Sequence, residues 1–175
     1  MAPKQGRKMA RREKPEFDQK LLNLARVTRV VKGGRRFRFR ATLVIGNRRG
    51  KVGVGVAKGS DVSDAIKKAY NDAKKNMITV ELTSTGTLPH DISAKLGSAR
   101  VLLKPASEGR GIIAGGAVRS VVDLLGVKDI VSKSLGASNP LNVARVTVKA
   151  LGQLKAPRVP KAPKEAPVVT PEVAA

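Results

Sequence analysis

Two patterned stretches, about 20–82 and 90–154, carry nearly all the apolar periodicity of this chain. In the first, RRFRFRATLVI alternates: Phe37, Phe39, Ala41, Leu43 and Ile45 share one face, and Arg36, Arg38 and Arg40 the other. A period of two predicts a strand with one face buried. LLNLARVTRVV precedes it, and the intervening Gly33-Gly34 suits a tight hairpin. Neither parity of 21–31 is fully apolar, which points to a bulge in that first strand. A second turn, GNRRG at 46–50, leads into KVGVGVAKG, where Val52, Val54 and Val56 oppose Gly53, Gly55 and Ala57. Two glycines on one strand face imply close approach of a second surface, either a packed helix or RNA.

The period then changes. Val62, Ala65, Ile66, Ala69, Tyr70, Ala73 and Met77 recur at helical spacing, with Asp61 as N-cap and Asp64 in the first turn. Lys67, Lys68, Lys74 and Lys75 form a separate stripe with Asn71, either a solvated face or one turned to RNA. TSTGTLPHD at 83–91 has loop chemistry. Beyond it, ISAKL and ARVLLKP read as strands joined by a turn at Gly97-Ser98. AVRSVVDLLG reads as a helix burying Ala117, Val118, Val121, Val122, Leu124 and Leu125, with Arg119, Ser120 and Asp123 opposite. KDIVSK is a short strand. The segment after Asn139-Pro140 fits both periods, and an Asn cap followed by Pro favours a helix. The expected fold class is α+β with two small domains, 20–82 and 92–154, joined by the linker 83–91. A basic arm (1–19) and a Pro/Ala/Lys-rich tail (155–175) flank them.

Charge narrows the function. Lys and Arg number 35 against 13 acids, a net charge of +22. Such an excess repels itself in the compact state and implies a polyanionic partner. Between Asp18 and Asp61 lie twelve basic residues and no acid. Basic side chains on phosphates supply affinity without reading base sequence. There is no Cys, hence no disulfide framework or thiolate metal site. No apolar run approaches the roughly 18 residues of a membrane span. MAPKQGRKMARREK lacks the apolar core of a secretory signal, and its Glu13 and want of Ser do not fit an organellar leader. A cytoplasmic nucleic-acid-binding protein without a membrane partner is expected.

GRGIIAGGAVR at 109–119 opens with G-x-G-x-x-A, the alanine form of the dinucleotide fingerprint, and Asp129 stands at a distance that suits a ribose. Three features oppose a cofactor. Pro105 to Glu108 separate the apolar strand from the first glycine, whereas the fingerprint needs that glycine at the strand's end. Asp129 precedes the apolar residues of the next strand. Too little patterned chain remains for a doubly wound sheet. His90 is the single histidine and has only a sequence neighbour, Asp91, beside it. No catalytic residue, cofactor or metal is expected.

VKGGRRFRF, GNRRGKVGVGVAKG and DAIKKAYNDAKKNM, in that order, resemble the N-terminal half of the bacterial-type small-subunit ribosomal protein five family. PASEGRGIIAGGAVRSVVDLLGVKDI and GASNPLNVARVTVKAL resemble its C-terminal half. Ala57 departs from a glycine more usual in the family, and the Pro-rich tail lies outside its pattern. The resemblance implies a double-stranded-RNA-binding-like βββα domain, which reads duplexes by shape and backbone. It also implies a C-terminal β-α-β-α domain with a left-handed βαβ crossover. The implied role is that of a structural constituent of the small subunit, binding its rRNA and steadying head against body near the spectinomycin site. Ribosomal proteins four and eight are implied partners, as is messenger RNA where it enters. A free-standing double-stranded-RNA-binding protein is the alternative.

The expected rRNA-binding residues are Arg26, Arg29, Lys32, Gly33, Gly34, Arg35 and Arg36 on the first hairpin. Arg48, Arg49, Lys51, Lys58, Lys67 and Lys68 complete the set. The resemblance turns the glycine loop into a protein interface, Gly109, Arg110, Gly111, Gly115, Gly116 and Arg119, facing ribosomal protein four and influencing accuracy. On residues alone, Arg119 and Asp123 also read as a plain surface pair one helical turn apart.

Overall fold

A computed structural model describes residues 16–154, so the arm through residue 15 and the tail from 155 lie outside the described residues. The first unit runs β1 (Asp18–Val31), β2 (Gly34–Gly46), β3 (Lys51–Gly59), α1 (Val62–Lys75) and β4 (Met77–Thr79). Its strands form an antiparallel sheet in the order β1-β2-β3-β4. The bulge expected in β1 appears as a register shift between Leu21 and Asn23. Val31 pairs with Gly34, so Lys32 and Gly33 make the turn; Gly34 opens β2 at φ +137°, where a Cβ is disfavoured.

α1 lies across the face that carries Ala41, Leu43 and Ile45, and buries Ala65, Ala69 and Ala73 there. The open question over Gly53 and Gly55 resolves here. A Cβ on Gly55 would fall on the Ala69 carbonyl oxygen and the Ala73 amide, and one on Gly53 on the Ala73 carbonyl. The glycines admit a helix, not RNA. Asp72 of α1 stitches the contact, accepting from the Val56 backbone N–H at 2.9 Å. Met77 departs from the expected helical stripe. The helix ends at Lys75, and Met77 begins β4 opposite Gly53; its spacing from Ala73 fits a helical turn without continuing the helix.

The second unit comprises β5 (Ile92–Leu96), β6 (Ala99–Pro105), β7 (Ile112–Ile113), α2 (Gly116–Leu125), β8 (Ile130–Gly136) and α3 (Pro140–Gly152). The sheet order is β5-β6-β8-β7, with β7 parallel to β8 and the other pairs antiparallel. α2 is thus the connection of a parallel βαβ unit. β7, two residues long, was too short to leave a period in the sequence. The competing periods after Asn139 resolve as a helix, with Asn139 Oδ1 accepting from the Leu141 N–H at 3.2 Å and Pro140 in the first turn. Ser120, expected on the solvent side of α2, is buried and donates its hydroxyl to the Gly116 carbonyl at 2.9 Å.

One apolar cluster runs through both units. Val44, Val52, Val54 and Val80 of the first pack with Val118, Val121, Val122, Leu124 and residues of α3 in the second. Val44 and Thr42 are therefore buried on the face that alternation assigned to arginines. The β2–β3 turn seals this junction. Arg48 N–H donates to the Leu124 carbonyl and Gly50 N–H to that of Leu125, both at 2.9 Å, satisfying orphan carbonyls at the end of α2.

Candidate nucleic-acid interface

Beyond Ala41, the β1–β2 hairpin extends past its helix cover. Strand register then decides which basic side chains meet. Arg29 stands directly opposite Arg36, Val27 opposite Arg38, and Arg40 opposite Lys58. Alternation puts Arg29, Arg36, Arg38, Arg40 and Lys58 on the side away from α1. Arg29, Arg36, Arg38 and Lys58 border an open groove of about 280 Å³, floored by Val27 and Val31. Among the described residues, no acid lies between Val27 and Val31 or between Arg36 and Arg40, the stretches that form this part of the face. Like charges directly opposite one another destabilise an antiparallel pair, so this arrangement suits a bound polyanion.

The reverse side of the hairpin differs. Arg26 lies over the Phe37 ring, 3.6 Å from its centroid. This contact holds the guanidinium flat on an aromatic ring that is itself 44% exposed. Arg35 shares that parity, and Lys32 and Gly33 cap the tip. The hairpin thus presents cations on both sides and at its end.

The remaining expected residues are not gathered with it. Arg48, Arg49 and Lys51 lie at the far end of β2 and β3, about 40 Å from the tip by strand rise. Arg48 adopts φ 54° while its amide caps α2, and its Nε pairs with Asp18 at 3.1 Å. Asn47 Oδ1 accepts from the Arg49 and Lys51 amides at 2.8 and 3.0 Å, fixing that turn. Lys67 and Lys68 are exposed on α1, which covers the sheet face opposite the groove. Lys68 donates to Asp64 at 2.8 Å, and that hydrogen bond holds the Asp64 carboxyl below its ordinary 3.8. Arg38 and Arg40 belong to the groove face although neither was among the expected site residues. The RFRFR alternation already placed them beside Arg36.

The glycine loop has its own logic. Gly109 and Gly111 take positive φ, 83° and 72°. The buried Asp129 carboxylate accepts from the Gly111 N–H at 2.6 Å, and Ile130 N–H donates to the Gly111 carbonyl at 3.2 Å. The acid that suited a ribose is committed to the loop backbone. Gly109, Arg110, Gly115, Gly116 and Arg119 are exposed. The expected Arg119–Asp123 pair is replaced: Asp123 faces Lys20 of β1 at 3.8 Å. Asp91 likewise faces Lys104 at 3.8 Å rather than His90. Among the described residues no three His, Cys, Asp or Glu side chains gather as a metal site, and no helix is long and apolar enough to cross a membrane.

Comparison with known families matches residues 17–81 to the ribosomal protein S5 N-terminal domain and residues 94–164 to the ribosomal protein S5 C-terminal domain. The chain belongs to the ribosomal protein S5 family. Its similarity to individual members is also extensive. Small ribosomal subunit protein uS5 from Campylobacter jejuni strain 81-176 is 52% identical over 147 residues, covering 84% of this chain and 99% of that protein. The uS5 protein of Campylobacter jejuni strain RM1221 matches to the same extent. In S5 terms, the groove lies in the N-terminal domain and the glycine loop in the C-terminal one.

Proposed function

We propose that this chain is a structural, non-catalytic constituent of the small subunit of the cytoplasmic ribosome, binding rRNA through the groove face of its first sheet. The like-charge pairs Arg29–Arg36 and Arg40–Lys58, with no acid between them, carry this reading. Each pair costs the free protein a few tenths to about 1 kcal/mol, and a phosphate backbone turns that cost into attraction.

Finer roles follow from the family resemblance together with surface position. The tip, Lys32 to Arg36, steadies head against body near the spectinomycin site. The exposed glycine loop with Arg119 meets ribosomal protein four in a contact that sets accuracy. Ribosomal protein eight and incoming messenger RNA are further neighbours. Residues 20–82 and 92–154 act as the two domains, with 83–91 as linker.

The test replaces Arg29, Arg36, Arg38 and Lys58 with Gln and measures affinity for an rRNA fragment across salt concentrations. Each lost phosphate contact removes about 0.7–0.9 from the log–log slope, so a fall of about three is expected. The folded variant should also leave the small-subunit fraction of a sucrose gradient. An unchanged slope would remove the groove from the interface. A free-standing duplex binder would instead bind unrelated duplexes equally and never co-sediment with subunits.

A further inference from the structure

Asp129 is the single buried charged side chain among the described residues, 5% exposed, and it forms no ion pair with a described cation. Burying a carboxylate costs free energy unless hydrogen bonds compensate it. A neutral residue would have spared the second unit that cost. Among the described residues its hydrogen-bond partner is the glycine loop, where Gly111 donates its N–H to Oδ1 at 2.6 Å.

The segment that carries Asp129 anchors three loops. Gly126, in the left-handed region at φ 95°, packs closely on the Arg48 backbone of the β2–β3 turn. Lys128 N–H donates to the Gly86 carbonyl at 2.9 Å and so holds the linker. Asp129 and Ile130 hold the third loop: the side chain of the first takes the Gly111 amide, and the N–H of the second takes the Gly111 carbonyl. A Cβ on Gly111 would meet nothing within 4 Å, so its φ of 72°, not lack of space, selects glycine there. From Gly111 the chain runs to exposed Arg110 and Gly109 on one side, and through β7 to exposed Gly115 and Gly116 on the other. Glycine loses more conformational freedom on ordering than any other residue, so such a stretch keeps one shape only where it is anchored.

We propose that Asp129 is a positioning residue for the contact surface of the glycine loop. Its carboxylate fixes Gly111, and through it the place of Arg110 and the exposed glycines, before a partner arrives. The cost of ordering the loop then falls on folding rather than on binding. A carboxylate suits this task, because its hydrogen bonds are about twice as strong as those of a neutral acceptor. Asp129 lies buried behind the loop, so its effect on a partner passes through Gly111. The inference rests on the proposed contact of this loop with ribosomal protein four and adds a residue and a role to it.

The experiment uses the full chain with Asp129→Ala, Asp129→Asn, Gly111→Ala and the Asp129→Ala/Gly111→Ala double variant. Calorimetric titration measures affinity for purified ribosomal protein four, and affinity for an rRNA fragment is measured beside it. Asp129→Ala should weaken the protein contact about tenfold, the scale of a lost hydrogen bond to a charged group, with RNA affinity unchanged. Asp129→Asn keeps an Oδ1 acceptor and should recover most of that loss. Gly111→Ala, strained at its φ, should weaken the contact as well. The double variant should lose little more than either single one, because both changes act through the same peptide.

Wild-type affinity for ribosomal protein four in a folded Asp129→Ala variant would overturn the inference. Additive losses in the double variant, or equal losses in Asp129→Asn and Asp129→Ala, would do the same. A matching fall in RNA affinity, or loss of cooperative melting in Asp129→Ala, would also overturn it by marking the carboxylate as a support of the whole unit. All of these leave the contact with ribosomal protein four standing. Failure of the wild type itself to bind that protein would strike the contact, and this inference with it.

Discussion

From Gly34 to Arg40, β2 lies in solvent apart from half-buried Phe39; from Ala41 to Gly46 every residue is buried. The two halves belong to one continuous strand with one register. They differ in what covers them. α1 closes over Ala41, Leu43 and Ile45 on one side, and the apolar cluster shared with α2 and α3 encloses Val44 on the other. Neither cover reaches the tip. The sequence changes character at the same point, from RFRFR to ATLVIG. Strict alternation belongs to a strand with two unlike faces, and a continuous apolar run to one buried on both. The buried half fixes the direction of the charged half, and the arginines stay outside the core they project from.

The sharpest way to break this comparison is a charge in the buried half. Val44→Asp would place a carboxylate at a fully buried position, while Lys20, directly opposite on β1, keeps its side chain about half exposed. That costs several kcal/mol, a large part of a total stability of about 5–15 kcal/mol. Loss of the cooperative thermal transition by circular dichroism is expected. Cooperative melting at the wild-type temperature would mean that this face is open.

A smaller effect tests the helix side. Gly55→Ala sets a methyl group against the α1 backbone, which must move. A loss of about 1–3 kcal/mol is expected, read as a lower urea midpoint at unchanged slope. A midpoint equal to wild type would show that α1 does not pack closely on β3.

The exposed half should tolerate both of its own substitutions. Arg26→Ala removes the stacking on Phe37 and should cost about 0.5–1 kcal/mol. Arg38→Gln should change stability by less than about 0.5 kcal/mol while lowering RNA affinity. If Arg38→Gln destabilised the fold as much as Gly55→Ala, the two halves would not be distinct.

Local pattern decided the elements. The β1–β2 hairpin, the β1 bulge, α1 with its alanine stripe and the α3 helix after Asn139-Pro140 could all be read along the chain. Each depends on neighbours a few residues away. The basic run from Lys20 to Lys58 fixed the polyanionic partner class for the same reason, since net charge needs no fold. Pairing across long sequence separations was not legible. Periodicity tells which residues share a face of their own element, but not whether that face is covered or by what. Thr42 and Val44 are buried because α2, some eighty residues later, packs against β2. Asp123 turns to Lys20 and Asp129 to Gly111 because other strands bring those partners within reach. Arg48 and Arg29 look equivalent in a basic run, yet strand rise separates them and the end of α2 claims Arg48's backbone. Lys133 comes beside Arg100 and Lys104 only once β6 and β8 pair. Composition and period determined what this protein is made of and what class of molecule it meets. Tertiary contact, which exchanges solvent for a specific second surface, decided which charges stand together.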